Sequence, residues 1–178
     1  MYKEVGNDLT VLYNRINATN IAIVDFLKKK GITEEEISIN APEIIDMQAE
    51  RYVGENKTYR YNVTTVITVT SAKVDLVRSL ISEQSELLKQ GIAITGGDYR
   101  YQIQYDYTSL NEIKPKMIEE ATKNAREAAL KFAKDSDSEL GKIRRASQEQ
   151  LSIDKRDANT PYIKRIRVVT TIDYLLED

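Results

Sequence analysis

Apolar residues recur at helical spacing near the start of the chain. Leu9, Leu12, Tyr13, Ile16, Ile23, Phe26 and Leu27 form a stripe that predicts a helix from an Asn7 or Asp8 cap to Lys30, with Gly31 as its stop. Thr33 to Glu36 has capping-box spacing and opens a single turn. The pattern then alternates: residues 36–47 set Ile37, Ile39, Ala41 and Ile45 against polar neighbours and read as a strand, in which Pro42 implies an edge or a bulge. Tyr59 to Thr70 reads as a longer strand, with Tyr59, Tyr61, Val63, Ile67 and Val69 on its buried face. The turn composition of Gly54 to Lys57 makes these two strands an antiparallel pair.

Ser71 is the expected N-cap of a second helix, whose stripe is Val74, Val77, Leu80, Ile81, Leu87 and Leu88 and which ends at Gly91. After a Gly96-Gly97-Asp98 turn, Tyr99, Tyr101, Ile103, Tyr105 and Tyr107 alternate strictly with Arg100, Gln102, Gln104 and Asp106, the cleanest strand signal in the chain. Pro115 suits the first turn of a third helix, alanine-rich from Met117 to Ala133. A polar link, Asp135 to Gly141, leads to a strand beginning at Lys142–Ala146. Across a loop at Asp154 to Pro161 comes a last strand, from Ile163 or Arg165 to Leu175, with Ile166, Val168, Thr170, Ile172 and Tyr174 on one face. The predicted class is α+β: a largely antiparallel sheet with three main helices packed on one face. A strand ahead of the first helix would make the order more symmetric, so an opening strand is expected to be short or truncated.

Composition narrows the chemistry. The 178 residues suit one domain over 1–178, and they include no His, Cys or Trp. That removes disulfides, Cys or His zinc sites, thiol nucleophiles and His-based triads, and leaves no cofactor expected. A net charge of -2 argues against a dedicated nucleic-acid binder. The longest apolar runs, such as Ile21 to Val24, fall far short of a membrane span, and no signal-peptide stretch follows Met1-Tyr2-Lys3.

Several features in this order are characteristic of one family: Tyr-Arg-Tyr-Asn-Val (59–63) before a Thr/Val strand, Gly91-Ile92 after the next helix, the alanine-rich helix running from Ala121 into Leu140-Gly141-Lys142-Ile143, and the Arg167-to-Thr171 strand that ends at Tyr174. The chain resembles the SIMPL-domain family, which includes periplasmic immunogenic and oxidative-stress-defence-like bacterial envelope proteins, over about Asn7 to Tyr174. The resemblance implies an α+β domain of the periplasm or cell envelope that forms homo-oligomers, with no established enzymatic activity, no agreed catalytic residues and a link to stress tolerance. The family's Gly-rich opening strand and its signal peptide or membrane anchor are not recognised in this sequence. An N-terminal truncation is expected, with envelope or membrane-surface association carried by the missing segment.

Three candidate sites compete with plainer readings. Tyr99, Tyr101, Tyr105 and Tyr107, with Tyr59 and Tyr61, would offer a stacking platform for an envelope glycan or small molecule, or else core and subunit contacts. Arg144, Arg145, Arg165 and Arg167, with Lys142 and Lys164, would make a basic strip for an anionic partner if their strands are neighbours, or else a solvated face paired with Asp154, Asp157 or Asp173. Asp135-Ser136-Asp137-Ser138-Glu139 starts like a calcium loop, but Gly141 sits at position seven and Ala146 occupies position twelve, so a solvated helix exit is the reading retained and no metal site is expected. Glu119-Glu120 and Glu34 to Glu36 fall on polar faces without a pocket signal, which leaves a hydrolase working through carboxylates alone as the third reading. Self-association through a strand edge or the alanine-rich helix leads; ligand binding by the tyrosine strand is the alternative.

Overall fold

The computed structural model describes residues 1–49, 58–96 and 99–177. The chain divides into two compact units, Met1–Ile103 and Gln104–Asp178, where the composition suggests one domain. The class is α+β with antiparallel pairing throughout the described strands, as the periodicity predicts. The single sheet is replaced by a three-stranded ladder, β1-β4-β3, and three two-stranded ones, β2-β5, β6-β9 and β7-β8.

An opening strand is present: β1, Tyr2–Gly6, pairs with β4, Tyr61–Thr65. Lys3 and Val5 point to one side while Tyr2 is buried on the other, a two-residue period too short to stand out beside the helix that follows. That helix, α1, runs Leu9–Lys29, and the Asp8 carboxylate accepts the amides of Thr10 and Val11. Gly31 ends it at φ +100°, with its N–H on Lys28 O and the Ile32 N–H on Leu27 O, the two bonds of a Schellman motif. Ile23, Phe26 and Leu27 of α1 then form a core with Tyr2, Ile32, Leu80, Leu87 and Ile92.

The strands expected at 36–47 and 59–70 are each interrupted. β2, Ile37–Ile39, pairs with β5, Ile67–Val69, and β3, Glu43–Asp46, pairs with β4. Between the ladders, Ile39 to Glu43 advances four residues while Ile67 to Thr64 goes back three, so the bulge sits where Pro42 removes an amide. The expected antiparallel pair is thus one hairpin in two ladders. Its Gly54–Lys57 turn lies outside the described residues, as do Gly97 and Asp98.

Four further expectations are corrected. Ser71 does not cap α2, Val74–Glu83; its hydroxyl accepts the Lys73 amide one step earlier and donates to Glu36. The helix also stops before Leu87, which lies in a separate turn, α3, Ser85–Leu88, closed by Gly91 at φ +77°. Tyr99–Tyr107 is not a strand: Tyr99–Tyr101 is a 3₁₀ turn, and residues 104–109 keep alternating burial but pair with no strand among the described residues. Period-two sequence gives an extended chain; a ladder also requires a neighbour. Pro115 lies six residues into α4, Leu110–Asp135, and not in its first turn, because the helix takes in Leu110 to Ile113 ahead of it.

The second unit is built from α4 and one long ribbon. β6, Glu139–Gln148, pairs with β9, Thr170–Glu177, and β7, Ser152–Lys155, with β8, Lys164–Arg167. The Asp154–Pro161 loop of the sequence reading therefore begins two residues late, and the last strand is split at Val168-Val169. Half-buried Ile166, Val168, Thr170, Ile172 and Tyr174 still share one side, as the sequence indicates. α4 lies on β6 and β9, with Ala121, Ala125, Ala129 and Ala133 on its less exposed face; small side chains there let helix and ribbon come close.

Candidate functional site

The tyrosines of the proposed platform fall in different units. Tyr99 and Tyr101 belong to the first unit, and Tyr105 and Tyr107 to the second. Tyr99 is exposed, the Arg100 guanidinium stacks on the Tyr101 ring at 5.3 Å, and Tyr105 meets the Tyr162 ring edge-on at 6.0 Å. Tyr61 is likewise covered by a guanidinium, that of Arg60 at 4.9 Å. The rings of Tyr61, Tyr101 and Tyr105 thus each have a local packing partner.

The residues of the proposed basic strip fall on two separate ladders. Arg144 and Arg145 lie on β6, whose partner is β9, whereas Arg165 and Arg167 lie on β8, whose partner is β7. Arg145 stands opposite Asp173, Arg165 opposite Asp154 and Arg167 opposite Ser152; Arg144 is the extra residue of a bulge between Ile143 and Arg145. Arg145 and Arg165 each stand opposite a carboxylate, while Lys164 stands opposite Lys155.

The acidic segment after α4 is a helix cap. Asp135 is the last helical residue, Asp137 adopts φ 53°, its N–H bonds Lys134 O, and the Ser138 N–H bonds Ala133 O at 2.9 Å. These are Schellman bonds, made with aspartate in the position where glycine serves after α1. Glu139 to Gly141, expected in the link, already belong to β6. Among the described residues, no group of three acidic side chains converges as a cation site would require.

The carboxylates with the lowest pKa values are ties between local elements. Glu36 accepts from Ser71 Oγ at 2.6 Å, the Thr33 amide at 2.8 Å and Lys73 Nζ at 3.1 Å, and these bonds lower its pKa to about 2. Asp157 is also lowered to about 2, first by Thr160 Oγ1, then by Arg156, as it closes the turn at the ribbon tip. Asp46 takes a bidentate fork from Arg60 and is lowered by it. Glu119 pairs with Lys123 one helical turn on, which lowers it too.

Two open grooves lie on the described surface. One, of about 400 Å³, lies between Leu110 and Lys114 of α4 and Gln148 to Ile153 of the ribbon; the other, of about 380 Å³, lies between Asn17, Ile21 and Val24 of α1 and Ile39. Each has one carboxylate in its lining, Glu149 in the first and Asp25 in the second, and acid–base work by a pair needs two.

The residues that sequence reasoning missed are apolar. In the second unit the only buried hydrophobic side chain among the described residues is Ala133, at 2% exposure, while the adjacent Phe132 is 75% exposed. Leu130, Ile143, Leu175 and Leu176 are exposed as well. Phe132 and Ala133 both fit the helical stripe, and only their placement on the ribbon separates them. The signal available in the sequence was Tyr174-Leu175-Leu176, three consecutive apolar residues that break the alternation of the last strand.

No helix among the described residues is long and apolar enough to cross a membrane. The chain matches no curated protein. Residues 2–169 match the family described as SIMPL, protein of unknown function (DUF541), which takes in every strand and helix up to β9. The chain therefore belongs to the SIMPL family.

Proposed function

We propose that this chain is a non-enzymatic, self-associating domain of the bacterial cell envelope, whose second unit supplies the subunit contact. The observation that carries this is the thin core of Gln104–Asp178: among the described residues one small hydrophobic residue is buried while Leu130, Phe132, Ile143, Ile153, Leu175 and Leu176 are exposed. Fully burying a side chain of this kind is worth about 1.5–3 kcal/mol, and a unit of this size that does not use the gain internally is completed by association. Four of these residues gather at one end of the unit. Phe132 lies in the last turn of α4, and Leu175, Leu176 and Ile143 lie at the base of the ribbon, where Ser138 caps the helix.

A contact role agrees with the state of the ionisable groups, since the lowered carboxylates each hold neighbouring backbone or a cation and none faces a second acid across a groove. The envelope setting, and with it a contribution to stress tolerance, is supported by the family resemblance. Fractionation of producing cells tests the location: release of the chain with the periplasmic or envelope fraction is expected, and exclusive recovery with cytoplasmic enzymes would count against it. Light scattering of the native chain tests the contact. Oligomers that Phe132→Ser or Leu175→Ser dissociate are expected, and a strict monomer from micromolar to millimolar concentration removes the proposal.

A further inference from the structure

We infer that a second copy of the chain joins edge to edge along the ribbon arm 164–177, antiparallel, with Val169 on the two-fold axis; this rests on the self-association proposed above. The ribbon has two outer edges of unlike character. The arm 139–155 carries an extra residue at three places, between Leu140 and Ile143, between Ile143 and Arg145, and between Gln148 and Ser152, and at the first two it bears Lys142 and Arg144. Bulges are a device that stops a sheet edge from recruiting another strand, and here they distinguish the two edges. The arm 164–177 gains no residue at any of these places. Its burial alternates from Lys164 to Arg167 and from Thr170 to Leu175, with half-buried Val169 between the two stretches, and among the described residues its ladders run along one side only.

Charge selects the occupant and the direction. The exposed side of this arm carries Arg165 and Arg167 toward its start and Asp173 toward its end. Antiparallel pairing about Val169 sets Arg165 opposite Asp173 of the second copy. Within the chain Arg165 already faces Asp154, and Asp173 already faces Arg145. Each row across the four strands then reads Asp154, Arg165, Asp173, Arg145, alternating in sign, and the two-fold axis makes the row twice. Parallel pairing would set Arg against Arg. A two-fold axis perpendicular to the sheet also keeps both α4 helices on the same face, so the contact is self-complementary and closed.

The absence of cysteine makes the test direct. Single cysteines are placed at 165, 167, 169, 171 and 173 of the full chain, with Ser147→Cys on the other arm as control. Covalent dimer formation is followed under mild oxidation beside light scattering. Val169→Cys is expected to cross-link at least ~10-fold faster than Arg165→Cys or Asp173→Cys, whose two copies stand about 26 Å apart along the strands, beyond the ~7 Å reach of a disulfide. Should Val169→Cys fail to fold, a mixture of Arg167→Cys and Thr171→Cys chains, which the same axis brings together, is expected to cross-link faster than either alone. An oligomeric chain whose fastest cross-link lies elsewhere, or at Ser147→Cys, overturns the edge pairing and leaves self-association standing. A monomeric chain with no cross-link overturns both.

Discussion

Ser71 donates its hydroxyl hydrogen to the Glu36 carboxylate at 2.6 Å, joining the turn after α1 to the approach of α2. Bonds from Ser71, Thr33 and Lys73 lower the Glu36 pKa from 4.5 to about 2, and Asp157 is lowered from 3.8 to about 2 by Thr160 and Arg156. A depressed carboxylate pKa gives stability that is present in full above the unfolded value and lost as pH falls through the folded one. Denaturation midpoints should therefore hold down to about pH 4.5 and fall between there and about pH 2. Glu36→Gln and Asp157→Asn should each flatten part of that fall, as urea titrations across the range would record.

Neighbouring positions on α1 should differ sharply. Leu12 is 1% exposed and fills the space beside Gly6, where an added Cβ would come within 3.1 Å of the Leu12 side chain, while Tyr13 next to it is exposed. Leu12→Ala should cost about 3 kcal/mol, and Gly6→Val about 1–3 kcal/mol through overpacking. Tyr13→Ala should change stability by less than about 0.5 kcal/mol. Chemical denaturation of the three variants checks this.

The left-handed exits of α1 and α4 predict opposite signs. A Cβ added at Gly31, whose φ is +100°, would meet nothing nearer than Leu76 Cδ2 at 3.7 Å, so Gly31→Ala should cost about 1 kcal/mol from backbone strain and not from crowding. Asp137 at φ 53° bears that strain already, and Asp137→Gly should stabilise by a few tenths of a kcal/mol to about 1 kcal/mol. Thermal melts under one buffer condition distinguish the two.

How far these features were legible depends on whether they are local. The caps and stops of α1, the alternation of 164–175 and the bulge at Pro42 follow from residues a few positions apart, and the sequence displays them. The tyrosine segment shows the opposite limit: the alternation from Tyr99 to Tyr107 is real, but a strand is a pair, and nothing in those nine residues says whether a strand lies beside them. Arg145 and Arg165 looked like neighbours for the same reason, since strand order is set by pairing and not by sequence proximity. The exposure of Phe132 beside buried Ala133 depends on where a ribbon lands on one face of α4, and the helical period alone gives both residues equal claim to the core.

Removing apolar surface from the second unit should cost association and not folding. Phe132→Ser and Leu176→Ser replace exposed side chains, so the free chain should keep its midpoint within about 0.5 kcal/mol while the oligomer weakens at least tenfold. Sedimentation of each variant beside its denaturation curve separates the two effects. A variant that unfolds before it dissociates would place these side chains in an internal core.

Amide hydrogen exchange at two protein concentrations tests the central claim most directly, because it reports association and its location together. The second unit, completed by another copy, predicts that protection in β9 and in the last turns of α4 rises with concentration while α1 and β4 stay unchanged. Protection of β9 that is independent of concentration, in a chain that sediments as a monomer, would contradict it.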